Sequence, residues 1–363
     1  MITQVFKRIL LIINVIFAVA LMASIADGLL SPAYLSVLVL FGLAFPYFLI
    51  LNIAFIIFWG VLRHRFFLIS TLAVLASSPI IIDTFQFLPK RSNQGLSNTF
   101  NVMSYNVRVF DLYNWTNNKI SRNKIFQLIR DEGIDIACFQ EYFNNTKSYF
   151  PVHDSLMANQ RFRYSHLYLN INLTNGHQFG IATYSSFPII NKKELLFKDT
   201  HNLVILSDIK IDDDTLRVIN CHLQSVRFLV EDYHFIDSLP IMPEKAKMKS
   251  FLGVFKRLIS AAEKRALQAD LLLKEIEKSP YPVLICGDFN DTPYSYTYQK
   301  LTRLLNDSHE YHKIGIGGTY NQFFTPLRID YILFEPGINC VEFKTIKSNL
   351  SDHYPIVGKY SIH

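Results

Sequence analysis

The first quarter of the chain is almost empty of charge, and this limits how it can fold more than any other feature. Before Pro89 the only charged residues are Lys7, Arg8, Asp27, Arg63, Arg65 and Asp83. Three apolar runs lie between them: 9–26, 33–62 with Pro46 inside it, and 66–82. Each is long enough, or nearly so, to cross about 30 Å of hydrocarbon at about 1.5 Å per residue. One such run reads as a buried core helix. Three in succession, with so little charge, predict a membrane anchor of three transmembrane helices over residues 1–88. The first run, behind Lys7 and Arg8, has the look of a signal peptide ending near Ala26, but the two further runs argue for a retained anchor. Lys7 and Arg8 before the first span, and Arg63 and Arg65 between the second and third, place those ends in the cytoplasm. Lys90 and Arg91 oppose this. An odd number of spans then predicts a multi-pass protein of the cell (inner) membrane, with everything after Asp83 extracytoplasmic.

Of 363 residues, 50% are hydrophobic and 18% charged, too apolar for an ordinary soluble chain of this length. The excess is concentrated before Pro89. Residues 89–98 read as a polar, turn-rich linker. Beyond it the chain is mildly basic, which suits a phosphate-bearing substrate but falls well short of a nucleic-acid-binding signature. Cys138, Cys221, Cys286 and Cys340 form no C-x-x-C pair, and the first three sit in strand-like apolar runs, as buried free thiols do.

From Thr99 the texture changes to strands alternating with helices, and polar groups recur where apolar strands end. The run 282–285 leads into Cys286-Gly287-Asp288-Phe289-Asn290-Asp291-Thr292-Pro293, a buried strand closing in a turn. Asp288 and Asn290 are two residues apart, so on an extended chain they face one way. A carboxylate there can deprotonate water, and an amide can hold an anionic oxygen. An Asx turn capping the strand explains the same residues equally well. Residues 99–108 alternate like a strand presenting Asn106, and 119–132 form an amphipathic helix stopped by Gly133. The strand 134–141 exits at Glu141, a natural ligand for a hard cation, although a loop glutamate can simply cap a helix. Residues 178–190 read as strand, turn and strand. Residues 203–220 read as a hairpin turning at Asp212-Asp213-Asp214, which is better read as a solvated turn than as a metal loop. That hairpin ends at His222, Asp330 opens a strand at 328–334, and Asp352 and His353 precede the last one. A carboxylate beside an imidazole orients the ring and stabilises its protonated form.

Residues 226–260 look inserted. Lys245, Lys247, Lys249, Lys256 and Arg257 interleave with Met248, Phe251, Leu252, Val254, Phe255, Leu258 and Ile259, a basic amphipathic pattern. Such a helix either lies on an anionic bilayer or packs on its own domain with a solvated basic face.

Taken together, Ser104-Tyr105-Asn106, Phe139-Gln140-Glu141, Gly180-Ile181-Ala182 with Pro188, Cys221-His222-Leu223, Gly287-Asp288-Phe289-Asn290, Arg328-Ile329-Asp330-Tyr331 and Ser351-Asp352-His353 make residues 99–363 resemble the endonuclease/exonuclease/phosphatase superfamily, whose fold is that of pancreatic deoxyribonuclease. The resemblance implies an α/β (α+β) four-layer sandwich of two mixed β-sheets flanked by helices. It also implies a Mg²⁺-dependent phosphoesterase, with Mn²⁺ as a substitute. Glu141 would be the principal metal ligand, with Asn106 and Asp352 near the metal or its waters. Asp288 would activate the attacking water and Asn290 would hold the phosphate. His353, held by Asp330, would supply positive charge, and His222 would bind phosphate or protonate the leaving oxygen. Arg108 can reach a phosphate or form a surface ion pair. The three-span anchor and the 226–260 insertion are foreign to the soluble nucleases, and groove-entering basic loops are not evident. The expected partners are therefore a phosphate-ester substrate (lipid headgroup, small molecule or nucleic acid) and the lipid bilayer, with no protein partner. A nuclease, and a non-catalytic membrane-bound binding module, are the two alternatives.

Overall fold

A computed structural model describes residues 4–90, 98–117, 119–147, 150–226, 244–311, 314–322 and 327–362. Much of the expected linker (91–97) and of the expected insertion (227–243) lies outside the described residues, as do the side chains of 244–251. The rest of that insertion runs straight into one helix, Glu244–Glu277. The fold divides into two compact units.

One unit comprises Met1–Phe85, Ser225–Ala269 and Asp291–Lys300. Its first helix, Gln4–Leu29, is long and apolar enough to cross a membrane. The second apolar run does not make one span. It breaks into Pro32–Leu35, Leu38–Leu43 and Phe45–Val61, with Pro46 in the first turn of the last piece. That piece has 17 residues, and at about 1.5 Å per residue it falls a little short of the hydrocarbon thickness. The third run breaks at Ser77, where Pro79 opens a new helix; Phe67–Ala76 and Ser78–Thr84 meet at a 58° bend. Proline lacks an N–H and clashes with the preceding turn, so it starts helices and does not continue them. Among the described residues, the expected anchor of three transmembrane helices is thus corrected to one continuous candidate span, or two if the bent pair counts as one. The orientation drawn from three spans loses its basis.

Apolar side chains cover the outside of this unit as well as its core, and several polar ones are buried. Ile12, Ile16 and Val19 are 60%, 57% and 62% exposed, whereas Asn14, Ser24, Asn52 and Ser70 are buried. The buried polar groups satisfy one another: Asn14 Nδ2 donates to Ser70 Oγ (2.5 Å), Ser70 Oγ to Asn52 Oδ1 (2.8 Å) and Trp59 Nε1 to Asn14 Oδ1 (3.1 Å).

The other unit comprises Gln86–Gln224, Asp270–Asn290 and Leu301–His363. Its strands are β1 Phe100–Asn106, β2 Ile136–Asn145, β3 Tyr164–Asn172, β4 His177–Ser185, β5 Ile189–Leu196, β6 Leu203–Ile211, β7 Asp214–His222, β8 Val283–Asp288, β9 Asn306–Asp307, β10 Asp330–Phe334, β11 Ile338–Thr345 and β12 Ile356–Ile362. They form two six-stranded sheets, ordered β11-β12-β1-β2-β4-β3 and β5-β6-β7-β8-β10-β9. Each is mixed, with one parallel pair, β1 with β2 and β7 with β8. Val102, Ile136, Cys138 and Ile356 of the first sheet pack with Val218, Leu284, Cys286 and Ile332 of the second in one buried core. The first sheet's other face meets helices Ser121–Asp131 and Val152–Asn159 through Ile125, Phe126, Ile129, Val152 and Leu156. At the second sheet, the end of the long helix is tied to β5 by Glu275 and Lys193. The two mixed sheets flanked by helices are those the sequence predicts. All four cysteines are buried free thiols.

Candidate active site

Strand register builds half of the site. In the parallel β7/β8 pair His222 lies level with Asp288, and in the antiparallel β8/β10 pair Asp330 faces Asp288. Opposite residues on neighbouring strands have Cβ atoms about 5 Å apart, so three titratable groups share one sheet end. Gly287 makes this approach feasible, because a Cβ there would sit 2.1 Å from the Cys221 carbonyl oxygen. Beyond the strand, the Asn290 N–H donates to Asp288 Oδ1 (2.8 Å), and Asn290 Nδ2 donates to the Leu223 carbonyl (3.1 Å). The Asx turn read from the sequence is therefore present, and it orients both Asp288 and Asn290.

The first sheet supplies the other half. Asn106 ends β1, paired with Gln140 on β2. The β2/β4 register then slips between Phe139 and Tyr142, and Glu141 takes a left-handed backbone (φ 48°). Such a bulge re-aims one side chain out of the strand alternation. Asn106 Nδ2 donates to Glu141 Oε1 (3.3 Å) and to Asp288 Oδ2 (3.0 Å), joining the two sheets at the site. Ser351 Oγ contacts the Asn106 carbonyl (2.9 Å) and Asp352 Oδ1 (3.1 Å), and Arg108 Nε lies 3.3 Å from Asp352 Oδ2.

The charges are set by burial and by pairing. Asp288 is 1% exposed; burial pushes its carboxyl up to about 6, against the pull of His353 and with Asp330 adding to the rise. Burial alone would draw the His353 imidazole down, but Asp330 and Asp288 outweigh it and hold the ring at about 10. The ring sits 2.9 Å from Asp330 Oδ2 through Nδ1 and 3.8 Å from Asp288 Oδ2 through Nε2. His222 Nε2 lies 3.9 Å from Asp288 Oδ2, and burial lowers that imidazole. Glu141 is raised, first by burial and then by Asp352.

Among the described residues, the buried His222 Nε2 and Asp330 Oδ1 find no hydrogen-bond partner. Ligand atoms of Asp288, Asp330 and His353 lie within 4.8 Å of one another. The shortest contact among them is the Asp330–His353 hydrogen bond, which commits that pair to each other. Oxygen donors gathered around Glu141, whose ionised form burial and Asp352 disfavour, are instead what a hard divalent cation relieves.

All eight predicted site residues thus come together: seven through contacts around Asp288, and Asp352 through Ser351. Several supporting groups carried no sequence signal. Gln140 Nε2 donates to Asn220 Oδ1 (2.7 Å), and Asn220 Nδ2 to the Ala182 carbonyl (2.9 Å), bridging the sheets beneath the site. Thr319 Oγ1 accepts from the Ile329 and Asp330 N–H groups (3.1 Å each). Only the turn-rich Gly317-Gly318 before Thr319 could have flagged it.

Residues 103–353 match the Endonuclease/Exonuclease/phosphatase family. The chain belongs to that family. Its members are hydrolases of phosphoester bonds. Residues 7–84 match a domain of unknown function (DUF8431). No curated protein matches the chain. Among solved structures, the endonuclease/exonuclease/phosphatase from Bacteroides vulgatus superposes with a TM-score of 0.52 at 16% identity, over 74% of this chain and 100% of that one. The human Nocturnin catalytic domain gives 0.51 at 16%, over 77% and 98%. The mannosyl-6-phosphatase of Bacteroides thetaiotaomicron gives 0.50 at 16%, over 72% and 100%. At such identities these superpositions speak for the fold of this family member and not for its substrate.

Proposed function

We propose that this protein is a membrane-anchored, Mg²⁺-dependent phosphoesterase that hydrolyses a phosphodiester or phosphomonoester by in-line attack of water. The observation that carries the reading is Asn106 bonded at once to Glu141 and Asp288, with the Asp330–His353 pair beside Asp288. Asp288, with its carboxyl pushed up to about 6, is ionised near neutral pH yet more basic than an ordinary aspartate, as suits a base for water. The imidazolium of His353, fixed by Asp330, faces charge that builds on the phosphoryl oxygens. Asn290 holds the phosphate without adding charge. His222, kept neutral by burial, offers an N–H to the phosphate and not a proton to the leaving group. Glu141, Asp352 and Asn106 would hold the divalent cation, which supplies Lewis-acid charge to the phosphate when bound.

The apolar outer surface of the N-terminal unit, with its buried amides, supports the anchor. Apolar side chains face outward and amides are sequestered, which suits hydrocarbon and not water. An anchored enzyme reaches lipid or headgroup phosphoesters readily, and the phosphatase among the structural neighbours puts monoesters in the same panel.

The full chain in nonionic detergent should release p-nitrophenol from bis(p-nitrophenyl) phosphate with Mg²⁺, and lose that activity with EDTA or with Asp288→Ala. Activity that survives either change would sink the mechanism. Complete inertness, with Mg²⁺ binding retained, would favour a binding module. A panel of phospholipids, sugar phosphates and plasmid DNA separates the lipid reading from the nuclease reading.

A further inference from the structure

The turn that carries Asp288 and Asn290 is held at both of its ends, and the mechanism above uses only one of them. On the strand side the Asn290 N–H donates to Asp288 Oδ1 (2.8 Å), and Asn290 itself has a left-handed backbone (φ 52°). Asparagine tolerates that region, but it keeps a single conformation there only if the chain on each side is fixed. The chain next enters the N-terminal unit, to which Asp291–Lys300 belong. Inside that unit Arg265 Nε donates to Asp291 Oδ2 (2.9 Å), and both residues are buried. Asp27, buried on the first helix, feels the charges of both. The residues that follow are held in the same unit. Tyr294 packs on Phe45 with ring centroids 5.4 Å apart, and Gln299 Nε2 donates to Asp83 Oδ2 and to the Pro293 carbonyl (2.9 Å each).

Desolvating two buried charges offsets most of their attraction, so the pair is better explained by the geometry it fixes than by net stability. We propose that Arg265 and Asp291 are positioning residues for Asn290: the pair fixes the residue that follows Asn290 in the chain, and so holds its amide in place for a phosphoryl oxygen. The proposal rests on the phosphoesterase reading above, in which Asn290 holds the phosphate. Neither Arg265 nor Asp291 touches substrate. A guanidinium suits this task better than an ammonium, because its planar fork sets direction as well as distance. Asp27 leaves Arg265 a second carboxylate within its field, so neutralising Asp291 does not strand a buried cation. The N-terminal unit thereby contributes to the reaction as well as to anchoring.

The test is a double-mutant cycle on the full chain in nonionic detergent. Asp291→Asn keeps the shape and removes the charge, and Arg265→Lys keeps the charge and removes the fork. On bis(p-nitrophenyl) phosphate at saturating Mg²⁺, Asp291→Asn should lower kcat/KM at least about tenfold and Arg265→Lys about threefold, the scale of a small misplacement beside the chemistry. In an Asn290→Ala background each should cost less than about twofold more, because the residue they position is gone. The half-saturating Mg²⁺ concentration should stay within about twofold of wild type, since Glu141 and its neighbours are untouched. Additive losses in the cycle, a matching shift in Mg²⁺ affinity, or wild-type rates in both variants would each overturn the proposal. Loss of folding in both, read by circular dichroism, would assign the pair to stability alone and overturn it too. Isothermal titration of inorganic phosphate in the presence of Mg²⁺ runs the same cycle without turnover. Wild type that hydrolyses no member of the substrate panel, yet binds phosphate with an affinity these substitutions lower non-additively, would overturn the phosphoesterase reading and leave the positioning pair standing. Wild type that neither hydrolyses nor binds phosphate would overturn both.

Discussion

Replacing Asp330 by Asn tests the electrostatic core of the mechanism, because it removes a charge and keeps the shape. Asp330 Oδ2 lies 2.9 Å from His353 Nδ1, nearer than Asp288 at 3.8 Å. Together they raise the imidazole from 6.5 to about 10 despite burial, a preference for imidazolium worth roughly 5 kcal/mol. Without Asp330, burial is opposed mainly by Asp288, and His353 should lose its proton at a lower pH than in wild type. For stability the sign is fixed: the group's pKa is raised, so its contribution is complete below pH 6.5 and is lost as the pH rises through about 10. Wild type should therefore show no alkaline limb below about pH 9 from this group. Asp330→Asn should lose about 10²–10³ in kcat at pH 8, the usual cost of one lost transition-state charge contact. Relative to wild type at the same pH, it should recover part of that activity as the pH is lowered toward 7, above the range in which Asp288 itself takes up a proton. The assay is a pH–rate profile on bis(p-nitrophenyl) phosphate at saturating Mg²⁺, with circular dichroism to confirm folding at each pH. A folded variant whose profile stays flat and parallel to wild type up to pH 9 would refute the role given to the imidazolium.

Asp288→Asn should abolish hydrolysis yet raise the melting temperature at pH 8, because ionising a carboxyl held at about 6 costs up to about 3 kcal/mol there. That gain should fade as the pH falls from about 6 to about 4, below which both folded and unfolded forms are protonated, and differential scanning calorimetry at pH 8 and pH 4 reads it. Glu141→Gln should raise the half-saturating Mg²⁺ concentration at least about tenfold, measured by isothermal titration; unchanged affinity would remove Glu141 from the ligand set. Gly287→Ala brings a Cβ to 2.1 Å from the Cys221 carbonyl, so it should destabilise the β7/β8 pair by roughly 3 kcal/mol or more in urea denaturation.

What could be read in the sequence was what depends on a single strand. A polar residue at the exit of an apolar run, as at Asn106, Glu141, His222 and Asp288, is visible because strand alternation and turn chemistry are local. The N-terminal unit shows the limit of composition: hydropathy counted apolar residues across Pro79 and Pro46, although each proline dictates where a helix must begin. The Gln140–Asn220 bridge shows a different limit. Its partners are 80 positions apart, and neither looks unusual in its own strand, since a buried amide is readable only once its acceptor is known. The same holds for Arg108 to Asp111, where no glycine announces the left-handed turn and the strain is held by Phe110 in the core and by Asp111 on Thr116 and Ser121. Candidate catalytic groups at strand ends are therefore announced by local pattern, while the parts that hold them in place are written in long-range register.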